Sequence, residues 1–221
     1  MTLRIQQIVC GNNHSLVLLS DGSLWTTGAN GNGQLGNGTT TNQSTWISVI
    51  PSDVTQVVAG GRHSLVLLSD GSVWVAGLNY SGQFGDGTYQ NRSTLTSVIS
   101  SGVAQVAAGD DHSLALLSDG SVWATGANGS GQLGDGTTTN KTTWTSVIPS
   151  GVTQVTAGGE HSLALLSDGS LWKTGGNGCG QLGYKGEGSA AWIPDHFFEH
   201  LLLQSVLDES CEDDRWGAPG L

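Results

Sequence analysis

Short apolar runs alternate with clusters of turn residues over the first 183 positions of the chain. In one stretch, strand-like runs occur at Val54–Ala59, Ser64–Leu68, Ser72–Ala76 and Leu95–Ile99. Apolar and β-branched residues dominate these runs, and turn residues bound them, which is typical of β-strands. None of the runs has the apolar spacing of a helix, and glycine interrupts every longer stretch. The pattern therefore predicts an all-β structure.

Asp-Gly pairs stand between the second and third run of each group. These pairs are Asp21-Gly22, Asp70-Gly71, Asp119-Gly120 and Asp168-Gly169. Asp-Gly between two apolar runs is a strong hairpin signal, because a type I′ turn requires positive φ at both central residues. We therefore predict a hairpin with a type I′ turn at each pair.

The whole pattern repeats with a period of 49 residues. Three sets of markers keep this spacing without insertion or deletion: His14, His63, His112 and His161; Trp25, Trp74, Trp123 and Trp172; Gln34, Gln83, Gln132 and Gln181. Four copies follow one another, and each contains about four strands. Four short strands per repeat of this length predict one blade of a β-propeller.

The repeated string resembles the repeat of the regulator of chromosome condensation family: G-x-x-H-S-L-x-L-L-S-D-G-S-x-W-x-x-G-x-N-x-x-G-Q-x-G. The resemblance covers residues 1 to about 183 and implies a propeller, which in this family typically has seven blades. Here only four copies are present, and the fourth departs from the pattern after Gly183. The expected fold is therefore a propeller of this type with about four blades in a partial or open ring.

Three arrangements would resolve the shortage of blades. The favoured one is a fragment of a longer product, and the others are two chains paired into an eight-blade ring or a strained four-blade ring. In the second case the chain would be a homodimer.

Residues 189–221 differ from the repeat region, 1–188. Their net charge is −6, against −5 for the repeats, so over half of the total of −11 lies in this tail. Apolar residues at steps of three and four predict an amphipathic helix from His196 to Asp208. We expect this helix to cover the edge of the last blade. A shifted or truncated reading frame is the alternative origin of the segment.

Composition narrows the function classes. With 37% hydrophobic residues and few charges the chain is not a disordered one, and the 35 glycines fit many turns. The acidic balance argues against direct nucleic-acid binding, and no apolar stretch is long enough for a membrane span. The chain shows no signal peptide and only three scattered cysteines, which favours a cytoplasmic or nuclear protein over a secreted one. Several Asn-x-Ser/Thr sequons keep an upstream signal as an alternative.

Three motifs that suggest chemistry have simpler explanations. Gly31 to Gly36 fits G-x-G-x-x-G, but no helix can start after it, so we interpret its glycines as turn residues. His112, Ser113 and Asp119 have equivalents in every copy, whereas a protein builds a catalytic triad once. We therefore expect each repeated His-Ser pair to make a hydrogen bond inside its own blade instead. No second type of ligand accompanies the four repeated histidines. We therefore predict no catalytic residue, no cofactor and no metal site.

Positions that vary between copies are better candidates for function, because variable polar turns face solvent and can carry a binding surface. The residue pair before each repeated His varies, as do the loops after each Gly-Gln-x-Gly. The predicted protein-contact residues are Arg62, Tyr80, Tyr89, Arg92, Asp110, Asp111 and Glu160.

A non-catalytic protein-interaction scaffold is the leading functional hypothesis, with the partner unidentified. The resemblance implies the same role, since such propellers mostly serve as docking domains. It also implies the first alternative, guanine-nucleotide exchange on a small GTPase, although that activity depends on a non-repeated wedge and the repeats hold no insertion. The second alternative is a secreted inhibitor or adhesin-like propeller.

Overall fold

Residues 2–195, the part of the chain that the computed structural model describes, form sixteen β-strands and no helix. The first eight strands are β1 (Ile5–Cys10), β2 (His14–Leu19), β3 (Leu24–Gly28), β4 (Gln43–Ile50), β5 (Val54–Ala59), β6 (His63–Leu68), β7 (Val73–Gly77) and β8 (Arg92–Ile99). The next eight are β9 (Val103–Ala108), β10 (His112–Leu117), β11 (Val122–Gly126), β12 (Lys141–Ile148), β13 (Val152–Ala157), β14 (His161–Leu166), β15 (Leu171–Gly175) and β16 (Ser189–Pro194). The all-β prediction is confirmed, and within this part no helix could cross a lipid bilayer.

Each repeat forms one four-stranded antiparallel sheet whose strands are neighbours in chain order. We number these sheets blades 1 to 4. The first strands of successive blades, β1, β5, β9 and β13, contact one another and so lie nearest the axis. The predicted architecture of four propeller blades is confirmed.

The last strand of blade 4 corrects the predicted boundary after residue 188. Ser189–Pro194 pairs with β15, with Lys173 opposite Ile193, and Trp192 is buried. The departure from the sequence pattern of the other outer strands does not prevent this, because backbone pairing requires register rather than particular side chains. The repeat region therefore extends through residue 194, and the predicted helix from His196 to Asp208 lies outside the described residues.

The four predicted hairpins form, but their turn type differs from the prediction. At the first hairpin, Gly22 N–H donates to Leu19 O at 2.9 Å and Leu19 N–H donates to Ser23 O at 3.0 Å. Gly22 has a φ of +79°, whereas Asp53 is the one non-glycine residue with positive φ in residues 2–195. The loop thus has three residues, a type I turn closed by a glycine bulge, so only the glycine needs positive φ.

The hydrophobic core lies between blades rather than within them. Leu16 and Leu18 of blade 1 pack against Val54, Val57 and Val66 of blade 2. Equivalent clusters join blades 2 and 3 and blades 3 and 4. In residues 2–195 no cluster joins blade 4 to blade 1, so the blades form an open arc and not the strained four-blade ring.

Candidate interaction surface

One side of the arc collects the variable segments of every repeat. Because the strands alternate in direction, the turns between first and second strands emerge on the same side as the long loops between third and fourth strands. We call this side the loop face; it comprises the turns 11–13, 60–62, 109–111 and 158–160 and the loops 29–42, 78–91, 127–140 and 176–188. All seven predicted contact residues lie on the loop face or at its border.

The turns of the loop face stand side by side around the axis. Backbone hydrogen bonds link them: Asn12 N–H donates to Gly61 O at 3.0 Å, Gly61 N–H to Asp110 O at 3.0 Å, and Asp110 N–H to Gly159 O at 3.1 Å. This chain of bonds brings four of the predicted residues into one row. Arg62, Asp110 and Glu160 are exposed there, and Asp111 is half-buried.

Negative charge exceeds positive charge in this row of turns. Burial raises the pKa of Asp111, and the neighbouring Asp110 raises it further, while Arg62 acts in the opposite direction. Gln83 Nε2 donates to Asp111 Oδ1 at 3.2 Å, and Ser130 Oγ donates to Glu160 Oε2 at 3.0 Å. The row thus holds three carboxylates and one guanidinium, so its net negative charge attracts basic groups.

Two exposed tyrosines project from the loop of blade 2. Tyr80 is 72% exposed and Tyr89 is 55% exposed. The other copies have Gly31, Gly129 and Gly178 in place of the first and Thr40 and Thr138 in place of the second. An exposed tyrosine presents an apolar ring together with a polar hydroxyl, and such residues are enriched in protein interfaces.

Arg92 has a partner inside its own loop. Its Nη2 lies 3.1 Å from Asp86 Oδ2. Burial raises the pKa of Asp86, but hydrogen bonds from Thr88 and Arg92 outweigh burial and hold the pKa below its usual value. Lys141 pairs with Asp135 in the same way in blade 3, at 2.9 Å. Arg92 therefore positions the loop of blade 2, and its charge is already compensated.

A buried asparagine in each long loop was not assigned a role from the sequence. Asn79 is fully buried; its Nδ2 donates to Thr88 O at 3.0 Å, and its Oδ1 accepts from Phe84 N–H at 3.0 Å. The side chain thus ties both ends of the loop together and sets the position of the tyrosines. The signal was the asparagine of G-x-N, which stands at the same offset in all four copies.

The repeated His and Ser residues join neighbouring blades. His63 Nε2 lies 3.0 Å from Ser113 Oγ, and both residues are buried. The Ser113 hydroxyl donates its proton to Gln83 O at 2.8 Å, so it accepts from the Nε2–H of the histidine. Burial lowers the pKa of His63 to about 3. The expectation of a hydrogen bond inside each blade is therefore wrong, since the bond spans two blades.

The concave side of the arc offers a second surface that the sequence did not indicate. A groove of about 560 Å³ runs along the first strands of blades 2 to 4, and Gln56, Gln105 and Gln154 contribute to its wall. Leu67, Leu116 and Leu165 also line it, so the groove presents both polar and apolar side chains. Within the described range, 2–195, no group of three metal-ligating side chains occurs.

Four-stranded blades stacked about an axis, with junctions that repeat from blade to blade, define a β-propeller repeat protein. The chain belongs to the RCC1-like domain family, whose sequence model matches residues 1–211. The resemblance inferred from the repeat is thereby confirmed.

Solved structures of this family are similar to the chain. Human WBSCR16 matches with a TM-score of 0.74 and 29% identity, over 87% of this chain and 52% of that protein. Yeast RCC1 (Prp20), solved bound to Kap60, matches with a TM-score of 0.76 and 26% identity, over 86% and 48%. Prp20p from Saccharomyces cerevisiae, described with its binding to Gsp1p and histones, matches with a TM-score of 0.76 and 20% identity, over 88% and 51%. The chain thus spans about half the length of these relatives.

Proposed function

We propose that this chain is a non-catalytic protein-interaction scaffold and that its loop face is the contact surface. The observation that carries the proposal is the combination of two exposed tyrosines with a row of incompletely compensated carboxylates on one side of the arc. Aromatic anchors supply most of the binding energy in many interfaces, while surrounding charges select the partner and speed association. Both elements stand on variable segments, and the repeated residues below them hold the blades together.

The charge of the loop face indicates a partner with a basic surface. Asp110 and Glu160 are exposed and Asp111 is half-buried. The positive charge of Arg62 offsets only one of these three negative charges. Histones are basic proteins, and the yeast relative is described with its binding to histones and Gsp1p. These two proteins are therefore suitable first probes for the loop face.

The test measures binding of the full chain to a histone dimer and to Gsp1p in separate titrations. One double variant, Tyr80→Gly with Tyr89→Thr, installs the residues found in the other copies. A second, Asp110→Asn with Asp111→Asn, removes charge without changing shape. We expect each to weaken binding at least about tenfold. A matched control, Asp70→Asn with Asp119→Asn, removes the same charge from hairpin turns on the opposite side and should change affinity less than about twofold.

Two outcomes would contradict the proposal. If the loop-face variants and the control weakened binding equally, the loop face would not be the contact surface. If the chain accelerated nucleotide release from Gsp1p, it would be an exchange factor rather than a passive scaffold. The first measurement tests the surface, and the second tests the class of function.

A further inference from the structure

Tyr80 is held beside the junction of blades 2 and 3. Its neighbour Asn79 is buried, and Gly82 N–H donates to Asn79 O at 3.0 Å, which closes a tight turn with Tyr80 at its outer corner. Ser81 N–H donates to Gln83 Oε1 at 2.9 Å. Because these bonds fix the backbone on both sides of the tyrosine, little conformational freedom is lost when its exposed ring binds a partner.

Gln83 connects this turn to a carboxylate of the next blade. Its side chain is buried; Oε1 accepts from Ser81 N–H, and Nε2 donates to Asp111 Oδ1 at 3.2 Å. The backbones of Gln83 and Asp111 are close together as well, since a Cβ added to Gly126 would lie 3.1 Å from Gln83 Cα and 2.5 Å from Asp111 O. One amide therefore bridges the turn that carries Tyr80 and the carboxylate of Asp111.

The carboxylate of Asp111 keeps binding capacity on its second oxygen. Within residues 2–195 no group donates to Asp111 Oδ2, and none of the three ion pairs includes Asp111 or Arg62. Arg62 thus acts on Asp111 only through its charge. The neighbouring Asp110 adds a second negative charge, and its Oδ2 would lie 3.2 Å from a Cβ added to Gly159 of blade 4. The free oxygen is therefore half-buried in a negative region, which favours a cation.

The other two junctions lack this combination. Between blades 1 and 2 the loop has Gly31 at the tyrosine position, and the turn has Arg62 at the carboxylate position. Between blades 3 and 4 the loop has Gly129, and the turn has Glu160, whose Oε2 already accepts from Ser130 Oγ at 3.0 Å. Of the three junctions in residues 2–195, the one between blades 2 and 3 alone joins an exposed aromatic ring to a carboxylate.

An arginine side chain has the chemistry that this pair of residues selects. Its guanidinium is planar, so one face can stack on a tyrosine ring while the edge donates hydrogen bonds to a carboxylate. A lysine ammonium carries the same charge, but it is a compact and strongly hydrated point charge without a flat face. An aromatic ring beside a carboxylate therefore favours arginine over lysine.

We propose that Tyr80 and Asp111 form a subsite that receives one arginine side chain of the partner protein, with the tyrosine ring against the face of the guanidinium and Asp111 Oδ2 against its edge. This inference rests on the proposed function and names the group that the loop face recognises. Gln83 is the positioning residue, because its amide holds both the turn of Tyr80 and the carboxylate.

The test compares two labelled peptides of equal charge, Lys-Lys-Arg-Lys-Lys and Lys-Lys-Lys-Lys-Lys, in fluorescence anisotropy titrations with the full chain. The lysine peptide measures the general attraction of the acidic row of turns. The ratio of the two affinities measures the subsite, since the peptides differ in one side chain. We expect the arginine peptide to bind about two- to fivefold more tightly, the range for a cation over an exposed aromatic ring.

Two variants remove the subsite with little risk to the fold. Tyr80→Gly and Asp111→Asn install the residues that the first copy holds at these positions, Gly31 and Asn13. Each variant should bring the two affinities within about 1.5-fold of each other, because ring and carboxylate act on the same guanidinium and their effects are coupled. The double variant should show no greater loss of preference than either single one.

Two matched controls alter the same residue types outside the subsite. Tyr89→Thr removes the other exposed tyrosine of the loop, and Glu160→Gln removes a carboxylate of the acidic row. Glu160→Gln should weaken the binding of both peptides equally, and neither control should change the preference for arginine.

Three results would overturn the inference. Equal affinities at the wild type would show that the row attracts charge without selecting arginine. A preference that persists in Tyr80→Gly or in Asp111→Asn would place the arginine contact elsewhere, and a preference lost in a control would spread it over the whole face. In each case a histone dimer that still bound the loop face would leave the proposed function standing. If neither peptide bound at up to about 1 mM, the basic partner of the proposed function would be contradicted as well.

Discussion

The three junctions inside the arc and its two open ends are built from the same repeat positions, yet they differ in burial and in hydrogen-bond partners. Val57 is 0% exposed inside a junction, and Ile8, at the equivalent position of the first blade, is 69% exposed. His63 has a serine partner on the next blade, whereas His161 has no following blade among residues 2–195. The residues at these junction positions are therefore stabilised by the neighbouring blade, as expected where each repeat contacts only its neighbours.

Of the changes considered, acid should cause the largest loss of stability, because it protonates the histidines of the internal junctions. Burial lowers the pKa of His14 to about 4, of His63 to about 3 and of His112 to about 4. Between the unfolded pKa of about 6.5 and these values, the unfolded chain binds protons that the folded chain does not. The free energy of unfolding should therefore fall as pH falls from 6.5 to 4.5, by up to about 1.4 kcal/mol per pH unit for each histidine. Urea titrations at several pH values measure this slope.

The matched variant for the acid prediction is His63→Gln. It removes one of three titrating groups, so the slope of stability against pH should decrease by about a third. A slope that stays the same would show that other groups produce the acid sensitivity.

Truncation of equivalent leucines should cost more stability in a junction than at an open end. Leu67→Ala leaves a cavity in the core between blades 2 and 3 and should cost about 2–4 kcal/mol. Leu165→Ala, at the same position of blade 4, should cost less than about 1 kcal/mol, because its side chain is already partly in water. Urea unfolding of both variants measures the difference. Equal losses would mean that the last blade buries this leucine in solution.

Alanine substitution of equivalent glycines should give the smallest difference in stability between a junction and an open end. Gly85 has a φ of +69° and Gly183 a φ of +75°, so alanine at either site carries the same backbone strain, about 1 kcal/mol. Only at Gly85 does the new Cβ also meet a tryptophan ring, at 2.5 Å. Gly85→Ala should therefore lose roughly 1–2 kcal/mol more than Gly183→Ala, since overpacking adds to the strain. Thermal unfolding scans compare the two, and identical melting temperatures would refute the contact.

Local features of the fold were predictable from sequence because they depend on neighbouring residues. The predicted strand Val54–Ala59 matches β5, and the outer strand predicted from Leu95 begins three residues earlier, at Arg92. The hairpins were also predictable, because Asp-Gly between apolar runs specifies a tight reversal. Their turn type was not, since an Asp-Gly pair suits both a two-residue loop and a three-residue loop closed by a glycine bulge.

The candidate surface was predictable in position but not in detail. Variation between copies pointed to the loop face, because framework residues must be the same in every blade and solvent-facing residues need not be. The same variation could not distinguish Tyr80, which is exposed, from Arg92, which pairs with Asp86. That distinction depends on how the loop folds back on itself around buried Asn79.

The sequence by itself determined the strands, the four-fold repetition and the family, because backbone propensity, turn chemistry and a constant period all act over short distances. Only the tertiary structure decided that the repeated His, Gln and Gly residues act between blades. Their partners lie in the next copy, and no local pattern records which side of a sheet meets its neighbour. For the same reason, residues at equivalent repeat positions are buried in the three junctions and exposed at the two ends.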